Sequence, residues 1–356
     1  MILFPKHIML NGEKILVDEF FTKPQKSGHE KELAGFLKEW YSGENFIEVR
    51  TSGSTGTPKT IRLTKDFVAQ SAQRTLRFFH LKKGDRVLHC LPLKYIAGKL
   101  MVVRALIGEL DFFPVDPATG FAFLQNETFR FAAMVPQQVR KILDAEPSPG
   151  TWFQHLVQLL IGGSAVPLSL EQRLQNVPTV CYSGYAMTET ATHIALRKIN
   201  GAGADEYYRC LDEIRAGLSQ NGCLQIYMPG LPEQPLQTTD LAELKDEKTF
   251  RILGRSDNVI ISGGVKYSPE QIEKKLEPFV SEPFLISSLP HESLGEQLVL
   301  VVEGKGYDAE AKRLKEICRR KLEKFEQPRQ IRFIPQLPRT ANGKFNRKRV
   351  AEAVLL

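Results

Sequence analysis

At 356 residues, with 42% hydrophobic and 25% charged side chains, the chain has globular composition and length enough for two or more domains with cores of their own. Mean hydropathy is −0.23, and no apolar run approaches the roughly 18 to 20 residues that cross a bilayer as a helix, which excludes a helical membrane span. The net charge of +7 is lopsided: from Ala311 onward 14 Lys plus Arg stand against 4 Asp plus Glu, a surplus of +10 that leaves −3 for everything before.

The opening MILFPKHIML is apolar but interrupted by Pro5, Lys6 and His7, and no small-residue cleavage site follows, so export is not expected. FIEVR (46–50) and TIRLT (60–64) alternate like strands on either side of TSGSTGTPK, Thr51 to Lys59. Thr64 is a candidate N-cap for a helix that runs through Phe67, Val68, Leu76 and Phe79 and stops before Gly84. Short apolar runs, Arg86 to Leu91 and Leu156 to Ile161, read as buried strands with helical spacing between them. This alternation predicts an α/β fold with parallel strands. Near Gly254 a polar GRSDN stretch, a Gly-Gly turn and a helix start at Ser268 mark a boundary. We therefore expect a large N-terminal α/β domain over 1–256 and a small α+β domain over 257–356. The latter has strands at Phe284 to Ser288 and Leu298 to Glu303, a basic helix from Asp308 to Phe325, and the loop LPRTANGK at Leu337 to Lys344.

Cys90, Cys181, Cys210, Cys223 and Cys318 are scattered and form no C-x-x-C pair, which argues against a disulfide framework or zinc knuckle and suits a reducing cytoplasm. Neither H-E-x-x-H nor G-x-S-x-G occurs. TSGSTGTPK packs glycines, hydroxyls and a lysine into nine residues, the donors that suit wrapping a polyphosphate. It is not a Walker A loop, because Lys59 follows Pro58 and the flanks give strand-loop-strand, not strand-loop-helix. An ordinary Ser/Thr/Gly hairpin is the competing reading.

TSGSTGTPK resembles the phosphate loop of the acyl-adenylate-forming superfamily, which includes acyl-CoA synthetases, luciferases and adenylation domains. Further strings resemble that family's motifs in order: VPQQV at Val135 to Val139, IGGSAVP at Ile161 to Pro167, YSGYAMTET at Tyr182 to Thr190, LQTTD ending at Asp240, GRSDNVIISGGVKYSPEQIE from Gly254, and LPRTANGK. The resemblance runs from Thr51 to Lys344 and implies that family's fold: a large domain of packed sheets and helices plus a small mobile one. It also implies an ATP- and Mg²⁺-dependent reaction in two steps, acyl-adenylate and then CoA thioester.

By that resemblance Thr51, Ser52, Gly53, Ser54, Thr55, Gly56 and Lys59 hold the β and γ phosphates; Glu189 coordinates Mg²⁺ and Thr188 contacts the α-phosphate. Tyr185 stacks on adenine, with Gly162, Gly163 and Ser164 lining its other side, while Asp240 and Arg255 bind ribose. Lys344 bridges the acid and the α-phosphate, Asp257 is the hinge about which the small domain rotates, and Gly263 and Gly264 border the pantetheine of CoA. The basic C-terminal end reads as a solvated helix face or as a surface for the phosphates of CoA, and nucleic acid is not expected as a partner. The sequence is silent on oligomeric state.

The acid-binding wall departs from the wider family. LPLKYIAG (91–98) carries Tyr95 where a histidine is usual, Ala186 replaces the last glycine of G-Y-G, and Thr239 replaces the glycine of T-G-D. The phosphate loop begins only fifty residues in, a short form that resembles the o-succinylbenzoyl-CoA synthetases of menaquinone biosynthesis. In those enzymes an arginine nine residues after the usual histidine faces the substrate's second carboxylate; the matching residue here is Arg104. A protein carboxylate such as Glu109 is the competing partner for Arg104. Alternatives for the function are a CoA ligase for another aromatic or short-chain acid, and an adenylation protein that transfers to a carrier-protein pantetheine.

Overall fold

The computed structural model describes residues 4–22, 27–50, 59–116, 127–145, 151–340 and 345–355. By internal contacts the chain forms two compact units: Met1–Ile214 with Pro229–Pro232, and Arg215–Met228 with Glu233–Leu356. The domain boundary expected at 256/257 lies inside the second of these units.

The first unit begins with the antiparallel pair β1 (His7–Leu10) and β2 (Glu13–Leu16), followed by α1 (Val17–Thr22) and α2 (Gly28–Trp40). A capping box starts α2: Ser27 Oγ accepts from Glu30 N while the Glu30 carboxylate accepts from Ser27 N. β3 (Phe46–Arg50) and β4 (Thr60–Thr64) pair antiparallel from Phe46↔Thr64 to Arg50↔Thr60, the expected strand-loop-strand, with Ile47 and Val49 as the buried alternation of FIEVR. α3 (Lys65–Phe78) starts at the expected N-cap, Thr64 Oγ1 accepting from Phe67 N at 3.3 Å.

Next come β5 (Arg86–His89), α4 (Ile96–Gly108), β6 (Asp111–Pro114), β7 (Phe129–Met134), α5 (Pro136–Ala145), β8 (Leu156–Ile161), α6 (Leu168–Leu174), β9 (Val180–Met187), β10 (Thr192–Lys198) and β11 (Tyr208–Cys210). β5 stops two residues short of the expected Leu91, since the chain turns toward Pro92 and the Cys90 carbonyl accepts from Gln138 Nε2 at 2.6 Å. The sheet runs β11-β10-β9-β8-β7-β5-β6-β1-β2, parallel from β9 through β1 and antiparallel at both ends. Strands buried on both faces need near-continuous apolar sequence, which VLH, FAAM and LLI supply.

In the second unit β12 (Arg215–Leu218), β13 (Cys223–Tyr227), β14 (Leu236–Asp246) and β15 (Thr249–Arg255) form an antiparallel meander. A second sheet follows, built from β16 (Ile260–Ser262), β17 (Val265–Tyr267), β18 (Phe284–His291), β19 (Gly295–Glu303) and β20 (Gln330–Ile334) in the order β17-β16-β19-β18, with β20 parallel to β19. The helices are α7 (Pro269–Leu276), α8 (Asp308–Lys321) and α9 (Arg347–Leu355). The run LVLVV in β19 serves two cores. Leu298, Leu300 and Val302 pack with Ile272 and Leu314 of α7 and α8, and Val299 and Val301 pack with Val350 and Val354 of α9. α8 ends at Lys321, short of the expected Phe325, because Leu322 turns extended and buries its side chain. Its three arginines pair within the helix, Arg319 and Arg320 both on Glu316 and Arg313 on Glu310, as on a solvated helical face.

Candidate active site

Parallel strands end on one edge of a sheet, and in the first unit that edge gathers the motifs. LPLKYIAG follows β5, VPQQV follows β7, IGGSAVP follows β8 and the TET turn follows β9, on four strands adjacent in the sheet. Such a carboxyl edge is where open α/β sheets place ligands. Gly163 turns the chain there at φ +84°, a left-handed conformation that favours glycine, and Gly162 N donates to the Met134 carbonyl at 3.0 Å. Gly163 and Ser164 are exposed and Gly162 half-buried. Gln138 Oε1 accepts from Val135 N at 3.1 Å, which fixes the neighbouring VPQQ turn.

Tyr185 and Ala186 close β9, Tyr185 edge-on to Tyr208 at 6.0 Å between ring centroids. Thr188 and Glu189 follow in a turn, both half-buried. That turn is strained: Ala191 has φ +52° and the β-branched Thr192 φ +115°, conformations that cost of order 1–3 kcal/mol and persist where surroundings impose them. Here the hydroxyl of Ser71 on α3 donates to Ala191 O at 3.0 Å, and Thr190 Oγ1 lies 2.7 Å from Thr192 O and accepts from Met187 N at 3.3 Å. The carboxylate of Glu189 therefore sits on a rigid support. Among the described residues no group of three or more His, Cys, Asp or Glu could hold a metal, so a metal here would need nucleotide oxygens or water beside Glu189, the usual arrangement for Mg²⁺.

α4 is apolar on all sides and buried along most of its length, yet it carries two cations. Lys99 donates to Glu39 Oε2 at 2.6 Å and to Glu48 O at 2.8 Å. Arg104, 1% exposed, has no carboxylate partner among the described residues. Its Nη1 meets Met101 Sδ at 3.4 Å, its Nη2 meets His193 Nδ1 at 3.5 Å, and its Nε finds no hydrogen-bond partner. Burial alone pulls the guanidinium down to about 9, still protonated at neutral pH. Glu109, the competing partner, is engaged elsewhere: it sits left-handed at the C-cap of α4 and accepts from Lys83 at 2.7 Å. Tyr95 is the N-cap residue of the same helix, roughly 13 Å along its axis from Arg104. Ala186 pairs directly opposite His193 in the β9–β10 register.

Lys59 is exposed at the entry to β4, whereas Thr51, Ser52, Gly53, Ser54, Thr55 and Gly56 lie outside the described residues, as does Lys344. In the second unit Asp240 and Arg255 are cross-strand partners, and one guanidinium joins three groups: Asp240 at 3.4 Å, the Thr239 hydroxyl at 2.6 Å, and Asp257 bidentately at 2.8 and 2.7 Å. Those hydrogen bonds hold the Asp257 carboxyl below its usual range. Gly263 and Gly264, at φ +58° and +80°, form the two-residue turn between β16 and β17, with Ile261 and Val265 half exposed beside it. The base of the LPRTANGK loop is pinned: Arg339 bridges Phe345, Asn346 N donates to Pro338 O at 2.8 Å, and Arg347 Nη1 donates to Glu273 at 2.9 Å.

The AMP-binding enzyme family profile matches residues 49–211, and that of the AMP-binding enzyme C-terminal domain matches 278–344. An AMP-forming acyl-CoA synthetase/AMP-acid ligase II-like protein from Dyadobacter fermentans superposes with a TM-score of 0.63 at 33% identity, over 95% of this chain and 98% of that one. The chain belongs to the AMP-binding enzyme family. The 2-succinylbenzoate–CoA ligase of Escherichia coli is 28% identical over 322 residues, 85% of this chain and 68% of the relative. The o-succinylbenzoate CoA synthetase of Bacillus subtilis, solved with ATP and magnesium, shares the fold at a TM-score of 0.71 and 21% identity, over 85% of this chain and 68% of that one.

Within this AMP-binding enzyme several residues escaped sequence reasoning. His193 lies in the apolar strand THIALRK, where a lone histidine carries no motif; Ser71 and Thr75 read as ordinary polar positions of α3. Their spacing of four on the buried face of a helix was the one available signal.

Proposed function

We propose that the chain is an ATP-dependent, AMP-forming acid:CoA ligase of the cytoplasm that converts 2-succinylbenzoate to its CoA thioester on the route to menaquinone. The acid's carboxylate would attack the α-phosphorus of ATP and expel pyrophosphate; the CoA thiol would then attack the acyl carbon and expel AMP. Mg²⁺, when bound, would offset charge on the phosphates. Thr51 to Gly56 and Lys59 would cradle the β and γ phosphates, Thr188 would reach the α-phosphate, and Glu189 would ligate the metal. Tyr185 with Gly162, Gly163 and Ser164 would take the adenine, and Asp240 and Arg255 the ribose. Lys344 would offset charge during adenylation. Gly263 and Gly264 would leave room for pantetheine, Asp257 would serve as hinge at the 256/257 boundary, and Tyr95 and Ala186 would border the acid. None of the five cysteines is in a disulfide, in keeping with a reducing compartment.

The observation that carries the substrate is Arg104. A buried guanidinium whose acceptors among the described residues are all neutral retains charge for an incoming anion, and 2-succinylbenzoate has one carboxylate to react and another to bind. Arg104→Ala should raise KM for 2-succinylbenzoate about tenfold or more, with little change for the monocarboxylate analogue that keeps only the reacting carboxylate. An equal effect on both acids would refute the clamp.

A further inference from the structure

A guanidinium that binds substrate must be held in one plane, and in the apolar interior around α4 few groups can do so. Arg104 has no acceptor capacity, so at 3.5 Å its Nη2 must donate to an unprotonated Nδ1 of His193. The imidazole proton then resides on Nε2, which lies 3.3 Å from Thr75 Oγ1. Thr75 in turn donates its hydroxyl hydrogen to Ser71 O at 3.2 Å. Each link has a single polarity, and together they lock tautomer and ring orientation. His193 is 3% exposed and sits where the β9–β10 register slips between His193 and Ala195, an irregularity of the kind that re-aims a side chain.

We infer that His193 is a positioning residue for Arg104, a neutral acceptor that orients the guanidinium without cancelling its charge and so sets the preference for a dicarboxylate. A glutamate there would hold the arginine equally well but neutralise it; Lys99 with Glu39, on the same helix, is that purely structural arrangement. An apolar residue would leave both charge and orientation unsupported. The inference rests on the proposed reading of Arg104.

The test compares His193→Phe, His193→Gln and His193→Glu with Arg104→Ala, reading KM and kcat for 2-succinylbenzoate and for the monocarboxylate analogue that keeps only the reacting carboxylate. His193→Phe should raise KM for the dicarboxylate about tenfold while shifting that for the analogue about twofold or less. Gln, which keeps an acceptor, should restore most of the preference, and Glu should abolish it as fully as Arg104→Ala does. If Arg104→Ala discriminates between the acids but His193→Phe and His193→Glu do not, the positioning role falls and the clamp stands. If Arg104→Ala itself fails to discriminate, both fall. Should His193→Phe not fold, the Gln and Glu variants decide: equal selectivity in the two would overturn the inference.

Discussion

His89 shows what a single buried side chain costs in acid. It is fully buried on β5, stacked 5.2 Å from His29 and tilted 4.9 Å from Phe112, and among the described residues neither ring nitrogen has a hydrogen-bond partner. Burial, and then the neighbouring His29, drive it down from 6.5 to about 3. Between those values the unfolded chain binds a proton that the folded one refuses. The stability present above pH 6.5 is therefore lost as pH falls toward 3, at up to about 1.4 kcal/mol per pH unit. His89→Phe keeps a ring in the stack and should flatten the fall in melting temperature between pH 6.5 and 4; an unchanged slope would assign the acid lability elsewhere, His193 being the next candidate. Residues of this kind are poorly legible in sequence. Arg104 could be found because the resemblance places an arginine nine residues after Tyr95, in an apolar segment where a cation is conspicuous; His193 and His89 could not, because a histidine in a strand looks the same whether its nitrogens are paired, orphaned or bound to an arginine.

At the scale of the element, glycine separates geometry from propensity. Gly98 opens α4, where an added Cβ would lie 2.8 Å from the Pro92 carbonyl carbon, so the helix packs on the preceding turn only if that position is bare. Gly35 in α2 is exposed and helical with open space around it. Gly98→Ala should destabilise by about 1–3 kcal/mol, and Gly35→Ala should stabilise by about 0.5–1 kcal/mol. Denaturant melts check both, and equal shifts would contradict the packing at α4. Elements with local signals were readable: the cap at Thr64, the β3–β4 pairing and the buried strand at 156–161 all match. Ends set by tertiary contact were not. β5 stops early because Gln138 takes the Cys90 carbonyl, and α8 stops early because Leu322 finds the core.

For the whole molecule, the α/β class and the parallel sheet followed from alternation of strand and helix, and the family followed from motifs strung in order along the chain. The collection of four motifs on one sheet edge did not follow from spacing, because it depends on which strands are neighbours. The grouping of β12 to β15 with the C-terminal residues was equally hidden, since nothing in composition changes at Arg215. The central claim is that these parts make an acid:CoA ligase for 2-succinylbenzoate. The measurement that tests it most directly is acid-dependent pyrophosphate release from ATP and Mg²⁺, with and without CoA, across 2-succinylbenzoate, benzoates, and short and long fatty acids. We predict CoA-dependent turnover confined to 2-succinylbenzoate; turnover with another acid instead, or pyrophosphate release that CoA does not draw on to a thioester, would contradict it.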